Sequence, residues 1–241
     1  MSEIKLYLLD VEGTTSPVSL VSEQLFPYAR THLSDFLLES VEEPDIRADL
    51  KLLAEEYSQE TDSEAPKLQV ESGEQFYADD GAVYLHWLMD RDRKSTALKS
   101  LQGKIWKTGY EAGELVGTVF PDVPGALERW SRETKVAIYS SGSVEAQKLI
   151  FRYSSAGDLT PFLSGYFDTR TGAKTSADSY RAIATAMGVE TAEILFVSDL
   201  LRELDPAREA GCMTRLSVRE GNAAVADAHS HTVVHSFEAI L

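Results

Sequence analysis

A chain of 241 residues with 43% hydrophobic content buries a sizeable core, which excludes wholesale disorder and fits one large domain or a core with an inserted unit. Lys and Arg total 23 against 39 Asp and Glu, and the net charge of −16 excludes nucleic acid and anionic membranes as electrostatic partners, while leaving room for a small phosphorylated substrate in a local pocket. One cysteine, Cys212, allows no intrachain disulfide framework and no cysteine-built zinc cluster; the start, Met1-Ser2-Glu3-Ile4-Lys5, has no basic or long apolar stretch, so the expectation is a soluble cytoplasmic protein without a membrane partner.

The elements fall into three blocks. Residues 4–9 form a nearly continuous apolar run that stops at Asp10, the pattern of a central strand buried on both faces. From about 16 to 119 the pattern is helical, with apolar residues at i, i+3 and i+4 over 24–39 and 46–57, a polar loop at 58–75, and further amphipathic helices over 76–89 and 95–110. Ser95 or Thr96 caps the last of these. From 120 onward strands and helices alternate. A helix over 123–131 precedes a strand at 135–139 and a helix at 144–153. A short strand or turn at 166–168 leads to a helix at 176–187, a strand at 194–197 and a helix at 204–210. Strands at 213–218 and 232–235 close the set. This order predicts an α/β fold, a Rossmann-like parallel sheet core of 1–15 and 120–241 with an inserted all-helical cap at 16–119. No coiled-coil heptads appear, and a monomer is expected.

Ligands of such sheets bind beyond the carboxyl ends of strands, so the informative residues are Asp10, Ser140-Ser141 and Ser198-Asp199. In Asp10-Val11-Glu12-Gly13-Thr14-Thr15 one acid is placed to attack phosphorus, giving an aspartyl phosphate, and the other to handle protons. Magnesium is the usual remedy for the like-charge repulsion of that attack. The alternative is a capping Asp with a solvated Glu. Ser140-Ser141-Gly142-Ser143 reads as a phosphate site at a helix start or as an ordinary capping turn. Lys174 is placed to offset charge on a phosphate and on Asp10, or is a surface lysine. Asp199, with Glu203 one helical turn on, reads as a magnesium ligand or as another cap.

Asp-x-(Asp/Glu)-Gly-Thr, a strand-end Ser, a Lys, and an Asp followed by a second acid resemble, in this order, the haloacid dehalogenase-like hydrolases. The resemblance spans essentially the whole chain. Their usual signature has Asp where this chain has Glu12. That substitution, with Tyr139-Ser140-Ser141-Gly142-Ser143 and the segment 92–106, resembles the enolase-phosphatases of methionine salvage. The resemblance implies a magnesium enzyme, with one ion per subunit. It would enolise 2,3-diketo-5-methylthiopentyl-1-phosphate and then remove phosphate to give the acireductone. It implies Asp10 as nucleophile and metal ligand, and Glu12 as acid/base that also meets the metal through its backbone carbonyl. Ser140, Ser141 and Lys174 would hold the substrate phosphate, Asp199 would complete the metal site, and Glu203 would be the acid behind it. The base for enolisation stays open between Glu12 and a residue of the cap.

A dehalogenase on this fold would leave Glu12 and Asp199 unexplained, a generic phosphatase would leave the 92–106 motif unexplained, and a receiver domain would be far shorter. Arg93, Lys94, Lys99 and Trp106 are read either as pocket lining or as solvated face and cap core. Cys212 is read as a small buried hydrophobe, and His229, His231 and His235 as surface residues rather than a metal site.

Overall fold

A strand with apolar side chains on both faces must be covered on both, and β1 (Leu6–Leu9) is: all four residues are buried. The computed structural model describes residues 3–68, 78–225 and 229–240. Phe76, in the expected helix 76–89, and Gly73, in the expected loop 58–75, lie outside them. β1 is joined by β2 (Lys135–Tyr139), β3 (Gly165–Phe167), β4 (Ile194–Ser198), β5 (Met213–Ser217) and β6 (Thr232–Val234) in one sheet. Its order is β3-β2-β1-β4-β5-β6, and every pairing is parallel. The helices are α1 (Phe26–Ser40), α2 (Pro44–Tyr57), α3 (Ala78–Asp90), α4 (Thr96–Glu111), α5 (Val123–Trp130), α6 (Val144–Arg152), α7 (Ala177–Met187) and α8 (Leu201–Glu209). The fold is thus a Rossmann-like parallel sheet with an inserted all-helical unit.

The chain divides into two compact units, Met1–Ser22 with Leu115–Leu241, and Glu23–Glu114. The expected limits at 15/16 and 119/120 are displaced because both flanking segments are tied to the sheet unit. Ser16 bridges to Glu12 and Gly117 to Ser154, and Phe120 N–H donates to Thr15 O at 3.0 Å. In the sheet unit Leu6 and Leu8 join Tyr139, Phe196, Tyr180 and Leu204 in one core layer. Tyr7 points the other way, as strand alternation requires, and stacks on Trp130 of α5 at 4.1 Å. α8 starts at Leu201 rather than 204, because Leu200 O accepts the N–H groups of Glu203 and Leu204 and closes a first turn. That turn puts Glu203 inside the helix and buries it. Among the described residues no helix is long and apolar enough to cross a membrane.

In the helical unit α4 is capped twice. Ser95 Oγ accepts Leu98 N–H at 2.9 Å, and Glu56 of α2 accepts Ser95 O–H at 2.5 Å and Thr96 N–H at 2.8 Å. Trp106 belongs to the core here: its Nε1–H donates to Leu25 O at 2.7 Å and it is buried. Arg93 pairs with Glu60 at 2.8 Å, over the Trp87 ring; Lys94 and Lys99 are exposed.

Gly109 sets how closely α4 approaches α1. A β-carbon there would stand 2.6 Å from the Tyr28 ring. That ring is pinned, since its hydroxyl donates to Glu114 at 2.6 Å and it stacks on His32. Six residues earlier in the same helix, a β-carbon on Gly103 meets nothing within 4 Å. Gly109→Ala is therefore expected to destabilise the protein by about 1–3 kcal/mol through overpacking, and Gly103→Ala to stabilise it by roughly 0.5–1 kcal/mol through helix propensity. Urea denaturation of both variants reads the two opposite signs.

Candidate active site

Strands β1 to β3 are added in one direction and β4 to β6 in the other, so the strand order reverses between β1 and β4. At such a switch point the helices diverge and leave a crevice beyond the strand ends. The register places Leu9 opposite Val197 and Ile138. The next residues along these strands are Asp10, Ser198 and Tyr139, and Asp10 N–H still donates to Val197 O at 3.0 Å. Asp10 therefore leaves the sheet at the reversal, beside Ser198.

Four side chains meet there in a closed cluster. Lys174 Nζ lies 2.6 Å from Asp10 Oδ1 and 2.6 Å from Glu203 Oε2. Ser198 Oγ donates to Glu203 Oε2 at 2.8 Å and stands 3.4 Å from Asp10 Oδ2. Val11 N–H donates to Asp10 Oδ1 at 2.7 Å. Asp10, Lys174 and Glu203 are each no more than 6% exposed. Burial works against the Lys174 ammonium, but the charges of Asp10 and Glu203 outweigh it and hold its pKa above the ordinary value. Burial, then the Asp10 charge, raises the Glu203 carboxyl. The loop that carries Lys174 is tied from below: the Tyr180 hydroxyl is 2.7 Å from Lys174 O, and Tyr139 O–H donates to Gly172 O at 2.9 Å. Of the two sequence readings of Lys174, the structure fits the one that sets it against the Asp10 charge, as a buried counter-ion rather than a surface lysine.

After Asp10 the chain turns tightly. Val11 O accepts the N–H groups of Thr14, Thr15 and Ser16, and Gly13 N–H donates to Ser16 O at 2.7 Å. Gly13 sits at φ +69°, a left-handed conformation that strains residues with a β-carbon. The turn presents Glu12 outward, with its side chain accessible. Loss of surrounding water and the Asp10 charge raise its carboxyl above the usual range. Asp199 packs against the same turn. Its carboxyl is pushed up to about 7 by burial and by Asp10 and Glu203, and its buried Oδ1 has no hydrogen-bond partner among the described residues.

Two crowded carboxylates, one with an orphaned oxygen, suit a hard divalent cation. Among the described residues no group of three or more His, Cys, Asp or Glu side chains is arranged around one metal position. Asp10 and Asp199 are two carboxylates at one strand-end crevice, a donor chemistry that fits magnesium, an ion that takes one or two carboxylates and keeps several waters.

Ser140 follows β2, with its N–H on Phe167 O at 3.1 Å and its Oγ accepting Gly142 N–H at 3.1 Å. Ser141 is exposed at the same turn, and Ser143 caps α6 by accepting Ala146 N–H at 3.2 Å. Asp168, at the end of β3, accepts Val144 N–H from the same helix start. The structure thus joins Asp10, Lys174 and Glu203 directly and sets Asp199 and Glu12 beside them. It holds Ser140 and Ser141 one strand over. Of the three C-terminal histidines, His231 is buried rather than on the surface. Its Nδ1 lies 2.7 Å from Thr214 Oγ1 and its Nε2 3.0 Å from Asp205. Cys212 is a buried thiol, pushed up to about 12 by that burial.

Sequence reasoning named Ser198 only as a strand-end residue and missed that it bridges Glu203 and Asp10. Its place directly before Asp199, at the end of an apolar run, was the available signal. Nothing in the sequence marked Tyr180 or Asn222, whose amide Nδ2 donates to Gly13 O at 2.9 Å. The cluster carries a stability test. Lys174→Ala leaves two buried carboxylates facing each other, so a loss of about 3–5 kcal/mol is expected at neutral pH. Without the ammonium the Glu203 carboxyl rises further in the folded state. A raised carboxyl contributes stability below its folded pKa and loses it as pH rises. Chemical denaturation should therefore show the deficit of the variant shrinking from pH 8 towards pH 5.

The family model of the haloacid dehalogenase-like hydrolases matches residues 4–211. The enolase-phosphatase E1 of Synechococcus elongatus is 52% identical over 236 residues, covering 98% of this chain and 97% of that one. The enolase-phosphatase E1 of Pseudomonas aeruginosa is 46% identical over 239 residues, covering 99% and 98%. The crystal structure of the UTR4 protein of Saccharomyces cerevisiae superposes with a TM-score of 0.79 at 33% identity, covering 99% of this chain and all of that one. A dehalogenase at 18% identity and a TM-score of 0.56 shares the fold. With the strand-end cluster in place and likeness running the length of the chain, the protein belongs to the haloacid dehalogenase-like hydrolases and, within them, to the enolase-phosphatases.

Proposed function

We propose that the chain converts 2,3-diketo-5-methylthiopentyl-1-phosphate, through its enol phosphate, to 1,2-dihydroxy-3-keto-5-methylthiopentene and inorganic phosphate, as a step of methionine salvage. The observation that carries this reading is the buried Asp10 carboxylate, held against Lys174 at the strand reversal with Glu12 two residues on. The relatives named enolase-phosphatase support the substrate.

In the phosphatase half, an Asp10 carboxylate oxygen attacks phosphorus, the bond to the ester oxygen breaks, and Glu12 gives that oxygen a proton. The raised carboxyl of Glu12 suits a group that must hold a proton before it delivers it. Water then attacks the aspartyl phosphate, Glu12 takes its proton, and phosphate leaves with Asp10 restored. Lys174 offsets the charge of Asp10 and, with Ser140 and Ser141, holds the phosphate oxygens. Glu203 and Ser198 keep Lys174 and Asp10 in place. Asp10, Asp199 and the Glu12 carbonyl would hold one magnesium ion, which when bound supplies positive charge against the repulsion between carboxylate and phosphate dianion. The same reading takes the protein as a cytoplasmic monomer whose partner is this small phosphorylated diketone.

The test follows ultraviolet absorbance of the enol and inorganic phosphate in parallel on the diketone phosphate. The enol is expected to precede phosphate; phosphate from simple esters with no enol would reduce the chain to a phosphatase of another small molecule. In that assay Asp10→Asn is expected to lower phosphate release by about 10³-fold or more, with an unchanged far-UV spectrum of the fold; wild-type turnover would remove Asp10 as the nucleophile. Chelation with EDTA is expected to stop phosphate release and added magnesium to restore it, and turnover that ignores chelation would overturn the metal assignment.

A further inference from the structure

Asn222 lies in the loop after β5, apart from the segments to which the chemistry is assigned. Its carboxamide has one possible orientation. Nδ2 donates to Gly13 O at 2.9 Å and to Ser217 O at 3.3 Å. Exchanging oxygen for nitrogen would set an acceptor against two carbonyl acceptors, so Oδ1 faces away from both. That Oδ1 is buried and has no hydrogen-bond partner among the described residues, and the same holds for Asp199 Oδ1. The two side chains meet around Gly13: a β-carbon there would lie 2.5 Å from Asp199 Oδ2 and 2.9 Å from Asn222 Oδ1. Glycine at this position keeps both approaches open. Neighbouring buried acceptors without a donor are unfavourable, and a hydrated cation is a species that satisfies both. It offers positive charge to the carboxylate and water hydrogens to the neutral amide oxygen.

We propose that Asn222 is a positioning residue for the divalent cation, its Oδ1 accepting a hydrogen bond from the hydration shell while its Nδ2 fixes the Glu12–Gly13 turn. The inference rests on the reading that Asp10 and Asp199 hold magnesium. An ion that keeps several of its waters needs acceptors placed for them, and loss of such an outer partner weakens metal affinity by roughly 10–100-fold.

Titration calorimetry of the metal-free full chain with Mg²⁺ alone tests it, with no turnover involved. Asn222→Ala is expected to bind Mg²⁺ about 10-fold more weakly. Asn222→Asp loses both Nδ2 hydrogen bonds but keeps an acceptor and adds charge, so it is expected to bind at least as tightly as the wild type. A residue that only braced the turn would make both variants equally weak, and that result overturns the inference. So does an Asn222→Ala variant that binds like the wild type. Asp199→Asn separates the underlying reading: it is expected to lose the binding heat, and if it keeps wild-type affinity the metal assignment itself fails. Circular dichroism and melting of each metal-free variant check the fold. Should Asn222→Ala not fold, Asn222→Asp decides alone, and a 10-fold loss there overturns the inference.

Discussion

One ammonium group organises the carboxyl end of the sheet. Lys174 Nζ touches Asp10 and Glu203 at 2.6 Å each, and neither carboxylate has a comparable cation elsewhere among the described contacts. Buried like charges repel strongly where water is scarce. Without the lysine the strand ends at the reversal of the sheet would have to move apart or take up protons. With it, Asp10 and Glu203 stay close and share a single positive centre.

The surrounding structure serves to keep that ammonium where it is. Tyr180 reaches from α7 to the backbone of both Lys174 and Glu203, and Ser198 ties Glu203 to the end of β4. Tyr180 is itself packed edge-on to Tyr139 and Phe196, so the apolar core is continuous with the polar cluster at the strand ends. Packing and electrostatics act here on the same atoms: the core fixes the hydroxyl, the hydroxyl fixes the loop, and the loop delivers the charge.

Much of this was legible from residues alone, for definite reasons. β1 and β4 carry unbroken apolar runs because both faces are covered, and such runs end abruptly at the polar residue that leaves the sheet. That is why Asp10 and Asp199 stood out. Ser140 stood out for the same reason. The burial of Lys174 was not legible, since Thr-Gly-Ala-Lys-Thr-Ser has no large apolar residue to advertise it and the loop is fixed by Tyr180 of the next helix and Tyr139 of β2. Asn222 was invisible because its meaning lies in its bond to Gly13 O, which only the crossover order of the sheet brings within reach. Trp106 was ambiguous between pocket and core; its Nε1 bond to Leu25 O assigns it to the core. The limits of the inserted unit shifted because hydrogen bonds at Thr15, Ser16 and Gly117, rather than composition, decide where the sheet unit ends.

The position of β1 also bears on how the molecule is made. Leu6 pairs with Lys135 on one side and Ile194 on the other, so β1 is flanked on both edges only once β4, far along the chain, is in place. Its partners follow a long helical excursion, and closing so large a loop comes late and slowly. The compact helical stretch, with its local contacts, is free to form meanwhile. Until β4 arrives, Asp10 has neither Ser198 nor Glu203 beside it, and its carboxylate hangs from an unfinished edge. Assembly of Asp10, Lys174, Ser198 and Glu203 into one cluster therefore waits until β4 and the first turn of α8 are in place beside β1.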